Sequence, residues 1–349
     1  MIAAVFEGEG KLVLKERPMP RLRTATDVLL KVTGVGICGT DLHILQVPPA
    51  HPAKVGAILG HEFTGEIAEV GREVQGIAVG DHVLVDPHPG CGVCEECRAG
   101  HPDRCIPLYS SAAAPGHSAT IGIFSDGAMT SYVVVPAHAL HRVDPEVPSH
   151  LAALAEPLAC IVSASRKLKV QPGDTVVVLG AGPIGLLYAS FFRACGAARI
   201  LVSEPSEYRR AAAMEIGADR VVDPQHEDLA AVVRGEMPGG AHVVVEAVGP
   251  LLPLAIELAK AGGRILQFGH DELARPQVPV AEIVRKELVI HGAFIGKFAF
   301  SELPGILASG VLPLEKIVSH RLPLSRVHEG LELLRAGRAI KVVLHPEAY

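Results

Sequence analysis

The segment Leu179-Gly180-Ala181-Gly182-Pro183-Ile184-Gly185 constrains the fold of this chain more than any other. It follows the apolar run Thr175 to Leu179 and opens a helix-forming stretch that continues through Ala194. In a G-x-G-x-x-G turn the first glycine makes the tight bend and the second lets backbone approach a pyrophosphate. The third lets the helix lie against the strand. Free N–H groups and the dipole at the helix start then favour an anion. Glu204 ends the next strand-like run, Arg199 to Ser203, nineteen residues after Gly185. A carboxylate there accepts from both ribose hydroxyls and repels a 2′-phosphate. The reading is a dinucleotide site built from Gly180, Gly182, Pro183, Ile184, Gly185, Glu204 and Arg209, with NAD favoured over NADP. A purely structural glycine turn and an exposed strand-end carboxylate are the rival readings.

Around this turn, strands and helices alternate. Arg220 to Val222, His242 to Glu246, Arg264 to Phe268 and Glu287 to His291 read as further strands, separated by helices such as Ser206 to Ile216 and Leu252 to Ala261. Six strands with helical crossovers predict an α/β architecture with a doubly wound parallel (Rossmann) sheet. The first 145 residues differ. Short β-branched runs (Val28 to Val32, Glu66 to Val70, His82 to Val85, Ser131 to Val135) alternate with Gly and Pro turns, which suggests a compact, mainly β domain. After about Gly292 come helices and a last strand, Ile340 to Leu344, expected to return to the first domain and make it discontinuous. The expected boundaries are 1–150, 151–292 and 293–349.

The chain of 349 residues is 49% apolar and 20% charged, enough to bury a large core. A net charge of −6 gives no footing for nucleic acid or an anionic membrane surface, and no apolar run reaches the length of a spanning helix. The N-terminus, Met1 to Lys11, reads as strand and turn and not as a signal peptide, so a cytoplasmic location is expected.

Seven cysteines are present, and Cys91, Cys94, Cys97 and Cys105 fall within fifteen positions. Four thiolates on a short glycine- and proline-flanked loop suit a closed tetrahedral zinc site that orders a lobe of about residues 88–107. An iron–sulfur cluster is the chemical rival and two disulfides the bland one. Two other segments carry ligand-type residues, Gly36-Ile37-Cys38-Gly39-Thr40-Asp41-Leu42-His43 and Gly60-His61-Glu62-Phe63-Thr64-Gly65. Cys38 and His61 could share a zinc whose third protein ligand is a carboxylate, leaving a place for an alcohol or water. Singly, each is more often a buried thiol or a loop histidine.

Taken together, the chain resembles the zinc-containing medium-chain alcohol dehydrogenase family over nearly its whole length. The G-H-E-x2-G-x5-G-x2-V signature runs from Gly60 to Val74, and the cysteine cluster, the C-G-T-D-x-H segment and the Gly-rich turn occur in the family's order. Glu156-Pro157-Leu158 and His320-Arg321-Leu322-Pro323-Leu324 are similar to the threonine and polyol (sorbitol-type) branch. The resemblance implies a GroES-like catalytic domain and two zinc ions per subunit, one structural and one catalytic. The catalytic ion would be held by Cys38, His61 and either Glu62 or Glu156. Asp41 would orient His61, and Thr40 and His43 would relay the substrate proton. His88 matches a position near the threonine dehydrogenase pocket. The implied activity is NAD-linked oxidation of a secondary alcohol (a polyol, cyclitol or amino alcohol) by hydride transfer, in a homo-oligomer, a tetramer or a dimer. L-threonine 3-dehydrogenase proper is an alternative. Glu156-Pro157-Leu158-Ala159-Cys160, in place of a following Gly-Asn pair, and the Ala- and Ser-rich segment with Tyr109 and His117 both depart from it. A non-catalytic metal-stabilised binding protein should have lost a ligand or relay residue, and a zinc-free quinone reductase should lack both cysteine sets.

Overall fold

The computed structural model describes residues 1–106 and 120–346, so Tyr109 and His117 lie outside the described residues. The chain forms two compact units. One comprises Met1–Ala159, Ile295–Gly310 and the chain from Val318 onward, and the other comprises Cys160–Phe294 and Val311–Ile317.

The first unit opens with the antiparallel pair β1 (Ile2–Phe6) and β2 (Leu12–Glu16). Next come β3 (Asp27–Ile37), helix α1 (Gly39–Ile44), β4 (Glu62–Val70) and β5 (His82–Val85). The short helix α2 (Glu95–Arg98), strands β6 (Tyr132–Pro136) and β7 (Leu140–Arg142), and helix α3 (Ser149–Ala152) complete this stretch, and helix α4 (Ala155–Leu168) carries the chain from Ala159 into the second unit. Strand β3 runs five residues past Val32, where the sequence pattern ends. The cause is local. Register shifts at Leu29/Leu30 and Val32/Gly34 bend the strand, and a Cβ on Gly34 would lie 2.9 Å from the Ser149 carbonyl oxygen. The strand therefore stays paired to β4 up to Gly36↔Glu62, so that His61 adjoins the last pair of the ladder and only Ile37 separates it from Cys38.

The second unit holds β8 (Thr175–Leu179), α5 (Pro183–Ala194), β9 (Arg199–Ser203), α6 (Glu207–Glu215), β10 (Arg220–Val222), α7 (Leu229–Glu236), β11 (Ala241–Glu246), α8 (Leu252–Leu258), β12 (Ala259–Gln267), α9 (Val280–Arg285) and β13 (Val289–Gly292). Its strands are all parallel in the order β10-β9-β8-β11-β12-β13, the doubly wound order with its switch point beside β8. Val176 to Leu179 are fully buried, as expected where helices cover both faces. Of the boundaries that differ from the sequence reading, two have a plain local cause. The helix expected to reach Ala261 ends at Leu258, because Ala259 pairs with Ala241 and the following Gly262 and Gly263 are poor helix formers. Strand β13 starts at Val289 because Glu287, with φ +50°, forms the turn before it.

The chain then returns through α10 (Leu303–Ser309), β14 (Val318–Pro323), α11 (Val327–Arg335) and β15 (Lys341–His345). β15 pairs antiparallel to β3 and parallel to β14, which the sequence pattern had not marked as a strand. Among the described residues the sheet order is β14-β15-β3-β4-β5-β7, with β6 also on β3. The discontinuous, mainly β domain is thus closed by its last strand, and its apolar core joins Val28, Leu30, Ile37 and Phe63 to Val342 and Leu344.

Candidate active site and metal centres

The four clustered cysteines converge. The Sγ atoms of Cys91, Cys94, Cys97 and Cys105 all lie within 4.8 Å of one another. The backbone makes this possible. Gly90, Gly92 and Gly100 take positive φ, and a Cβ on Gly90 would press against Cys97 Sγ and Pro102. Backbone N–H groups aim at sulfur, with Cys91 N donating to Cys105 Sγ at 3.3 Å and Cys94 N to Cys91 Sγ at 3.4 Å. The N–H groups of Val93 and Cys94 pull the Cys91 thiol down to about 6, toward the thiolate that a metal needs. Four converging sulfurs with N–H partners fit a closed tetrahedral zinc.

A second donor group forms where β3 ends and β4 begins. Cys38, His61 and Glu62 each offer an atom within 4.8 Å of the others'. His61 and Glu62 are buried and Cys38 is half-buried, so the group has one accessible side. Asp41 is fully buried in the first turn of α1. Its Oδ2 accepts from Cys38 N at 2.8 Å, and its Oδ1 faces His61 Nδ1 at 3.8 Å, too far for a hydrogen bond. Both of these facing atoms lack a partner. Burial opposes charge on His61, but Cys38, Asp41 and Glu62 outweigh it and raise the imidazole to about 10. A buried cluster of anionic donors around one imidazole calls for a cation, and thiolate, imidazole and carboxylate are the donor set zinc takes with a position left open. Glu156, buried in the first turn of α4, is outside this group of three, although its charge is felt at both Lys341 and Asp86.

Thr40 and His43 stand one turn apart on α1, and Thr40 Oγ1 is 3.6 Å from Cys38 Sγ. His88 is buried. Its Nε2 meets Thr120 Oγ1 at 2.8 Å, and its backbone N donates to Asp86 Oδ1 at 2.8 Å. Burial drives His88 down to about 3, helped by His61, so it is neutral at physiological pH.

In the second unit the Gly-rich turn has the expected form. Gly180 takes φ +97°, Gly182 precedes α5 and Pro183 is its first residue. A Cβ on Gly185 would collide with the Gly180 carbonyl oxygen, whereas a Cβ on Gly182 would meet nothing within 4 Å. The third glycine is therefore needed for packing and the second leaves an open face at the helix start, a cradle for a pyrophosphate. Glu204 is buried. Its Oε2 accepts from Ala181 N at 2.7 Å and its Oε1 from Ser206 N at 3.0 Å, which ties the turn to the end of β9. Ile184 follows Pro183 in the first turn of α5, and Arg209, on α6, is half-buried with an unpartnered Nε.

Sequence reasoning missed three residues here. Lys341 pairs with Glu62, and its only sequence signal is a lone charge in the apolar run Ile340 to Leu344. Asp86 is pushed up to about 7 by burial, with Glu156 adding to the rise. Glu246, at the end of β11, is fully buried and accepts from Val248 N and Gly249 N at 3.0 and 2.7 Å.

Comparison with known proteins agrees with this geometry. Residues 24–145 match the alcohol dehydrogenase GroES-like domain and residues 183–309 the zinc-binding dehydrogenase domain. The L-threonine 3-dehydrogenase of Caldanaerobacter subterraneus subsp. tengcongensis is 32% identical, covering 98% of this chain and 97% of its own. A sorbitol dehydrogenase of Bombyx mori is 29% identical over 98% of each chain. A protein of Sinorhizobium meliloti 1021, described as a zinc-binding dehydrogenase and solved bound to NADP, superposes with a TM-score of 0.91 at 31% identity, covering 99% of each chain. The two metal-type donor groups, the open Gly-rich turn and these matches together make the chain a member of the zinc-containing medium-chain alcohol dehydrogenase family near its threonine and polyol branch, an enzyme that uses zinc and a nicotinamide dinucleotide.

Proposed function

We propose that this enzyme oxidises a secondary alcohol on a small polar substrate (a polyol, cyclitol or amino alcohol) to the ketone, with NAD as hydride acceptor. The observation that carries this reading is the grouping of Cys38, His61 and Glu62 donors within 4.8 Å of one another, with Cys38 half-buried and the other two buried. These three would hold the catalytic zinc, with Glu156 in reserve nearby, and Cys91, Cys94, Cys97 and Cys105 the structural one. When bound, zinc supplies the Lewis acidity that makes a substrate hydroxyl acidic at neutral pH.

The chain's own groups do the rest. Asp41, fixed by the Cys38 N–H, faces His61 Nδ1 from 3.8 Å and favours one orientation of the ring. Thr40 Oγ1, next to Cys38 Sγ, accepts the hydroxyl proton, and His43 on the same helix face hands it to water. Neutral His88, with Thr120 at its Nε2, offers the substrate a hydrogen-bonding wall. Gly180, Gly182, Pro183, Ile184 and Gly185 seat the pyrophosphate, and Glu204 receives the adenosine ribose with Arg209 alongside. A carboxylate at that point disfavours the 2′-phosphate of NADP, even though the Sinorhizobium relative was solved with NADP. L-threonine is the alternative substrate, supported by the 32% identical threonine 3-dehydrogenase.

We also read the chain as a cytoplasmic homo-oligomer, a tetramer before a dimer. Its seven cysteines form no disulfide, and among the described residues no helix is long and apolar enough to cross a membrane. β13 is an edge strand, with Val289 exposed on it and Val280 and Val284 exposed on α9, an edge and apolar surface that self-association would cover.

The test is a panel of polyols, cyclitols and β-hydroxy amino acids followed by NADH absorbance, with NAD and then NADP, on wild type and Cys38→Ala. Wild type should turn over at least one secondary alcohol and carry two zinc ions per chain. Cys38→Ala should lose turnover and one zinc yet still bind NADH. Full turnover by a zinc-free preparation would overturn the mechanism.

A further inference from the structure

Lys341 is nearly inaccessible, at 2% exposure, and an unpaired ammonium at that depth is prohibitive. Its Nζ is held by two groups. It pairs with Glu62 Oε2, and it donates to the Ile37 carbonyl at 3.2 Å. Ile37 immediately precedes Cys38, and Glu62 immediately follows His61. One ammonium on β15 therefore clamps the end of β3 to the start of β4, between the two residues that carry thiolate and imidazole.

The pair is built into the backbone. Gly36 lies directly under it, where a Cβ would collide with Glu62 Oε2 and come to 3.3 Å from Lys341 Cε. The Glu62 side chain thus crosses β3 over a position that only glycine leaves empty.

The geometry points to Lys341 as a positioning residue of the catalytic metal centre, one that withholds a carboxylate oxygen of Glu62 and fixes the gap between the Cys38-bearing and His61-bearing strand ends. This rests on the reading that Cys38, His61 and Glu62 hold the catalytic zinc. With Oε2 engaged by the ammonium, Glu62 has one oxygen to give a metal. It acts as a one-point ligand, which favours a centre that keeps a position open for substrate. Without Lys341, both oxygens and the strand ends are released at once.

The test uses the zinc-loaded enzyme and its cobalt(II)-substituted form. Zinc release to a chelator is followed in wild type, Lys341→Met and Lys341→Arg, together with the visible cobalt bands and thermal unfolding. The structural zinc serves as an internal reference in every variant. In Lys341→Met, one zinc should leave about 10–100-fold faster than in wild type while the other keeps its wild-type rate, with displaced cobalt bands. Lys341→Arg, which keeps charge and donors, should recover most of the slow release. If the methionine variant does not fold, Lys341→Gln, which keeps a donor of shorter reach without the charge, carries the same expectation. Unaltered release of both metals and unaltered cobalt bands in the uncharged variant would overturn the inference, as would a loss of thermal stability unaccompanied by any change in the cobalt bands. Wild type that binds a single zinc, undiminished by Cys38→Ala, would instead overturn the ligand reading on which the inference rests.

Discussion

Gly182 and Gly185 stand three residues apart in the same turn, yet the structure requires opposite outcomes when each becomes alanine. At Gly182 the backbone (φ −67°, ψ 178°) accepts any L-residue, and the added methyl meets nothing within 4 Å. Loss of chain entropy in the unfolded state favours the alanine by about 0.4–1 kcal/mol, and a poorer N-cap takes back a few tenths, so ligand-free stability should move by under about 0.5 kcal/mol. The methyl would occupy the surface on which the pyrophosphate lies. Overpacking there costs about 1–3 kcal/mol, which raises the Kd for NADH about 5- to 150-fold. At Gly185 the methyl strikes the Gly180 carbonyl and comes to 3.3 Å from Val178 Cγ1, so α5 must lift from β8. The same 1–3 kcal/mol then falls on the fold, lowering Tm by about 2–12 °C. Differential scanning fluorimetry without dinucleotide, and titration with NADH followed by its fluorescence, separate the two effects. If Gly182→Ala bound NADH with the wild-type Kd, the open face would not be the pyrophosphate site. If Gly185→Ala melted with wild type, the packing argument would fail.

Two further outcomes follow from the other sites. Cys97→Ala should reduce bound zinc from two ions to one per chain and lower thermal stability, because the lobe around α2 buries no side chain in that helix and is ordered through its sulfurs; retention of both metals with unchanged Tm would contradict this. His88 has its folded pKa depressed from 6.5 to about 3, first by burial. A depressed pKa means that the unfolded chain takes the proton first, so this stabilisation is complete above pH 6.5 and is lost as pH falls toward 3. Between pH 7 and 4 the loss is up to about 3 kcal/mol, at 1.36 kcal/mol per unit. Urea unfolding of wild type and His88→Gln at pH 7, 5.5 and 4 should converge as the pH drops, and parallel curves would refute the assignment.

The parallel sheet was legible because its signals are local. The apolar run to Leu179, the glycines after it and Glu204 at the end of the next strand lie within thirty residues, and strands β8, β9 and β10 begin and end where the pattern places them. The four-cysteine site was legible for the same reason, since spacing alone brings its sulfurs onto one loop. β12 was misjudged at its start because Ala259 and Lys260 suit a helix, and only pairing with Ala241, eighteen residues earlier, makes them strand. β14 was missed because its edge of the sheet exists only once β15 has returned to β3. Tertiary pairing overrode local preference in both cases.

The catalytic group shows where local reading stops. Cys38 and His61 are twenty-three residues apart, and nothing in either segment says that they meet. What brings them together is the antiparallel register Gly36↔Glu62, Val35↔Phe63, which puts the last residues of β3 against the first of β4. Side chains alternate between sheet faces, so a slip by one residue would turn Glu62 to the opposite face and part it from Cys38. The register is held by the strand interior and also by the site itself. Glu62 reaches across Gly36 to Lys341, whose strand returns 279 residues later to seal the other side of β3. The pairing of glutamate with lysine therefore belongs to the sheet as much as to the metal centre. A reading confined to the G-H-E segment could name Glu62 and Glu156 as candidates, and the returning strand adds what that segment could not show, a lysine paired with Glu62 where β3 ends and β4 begins.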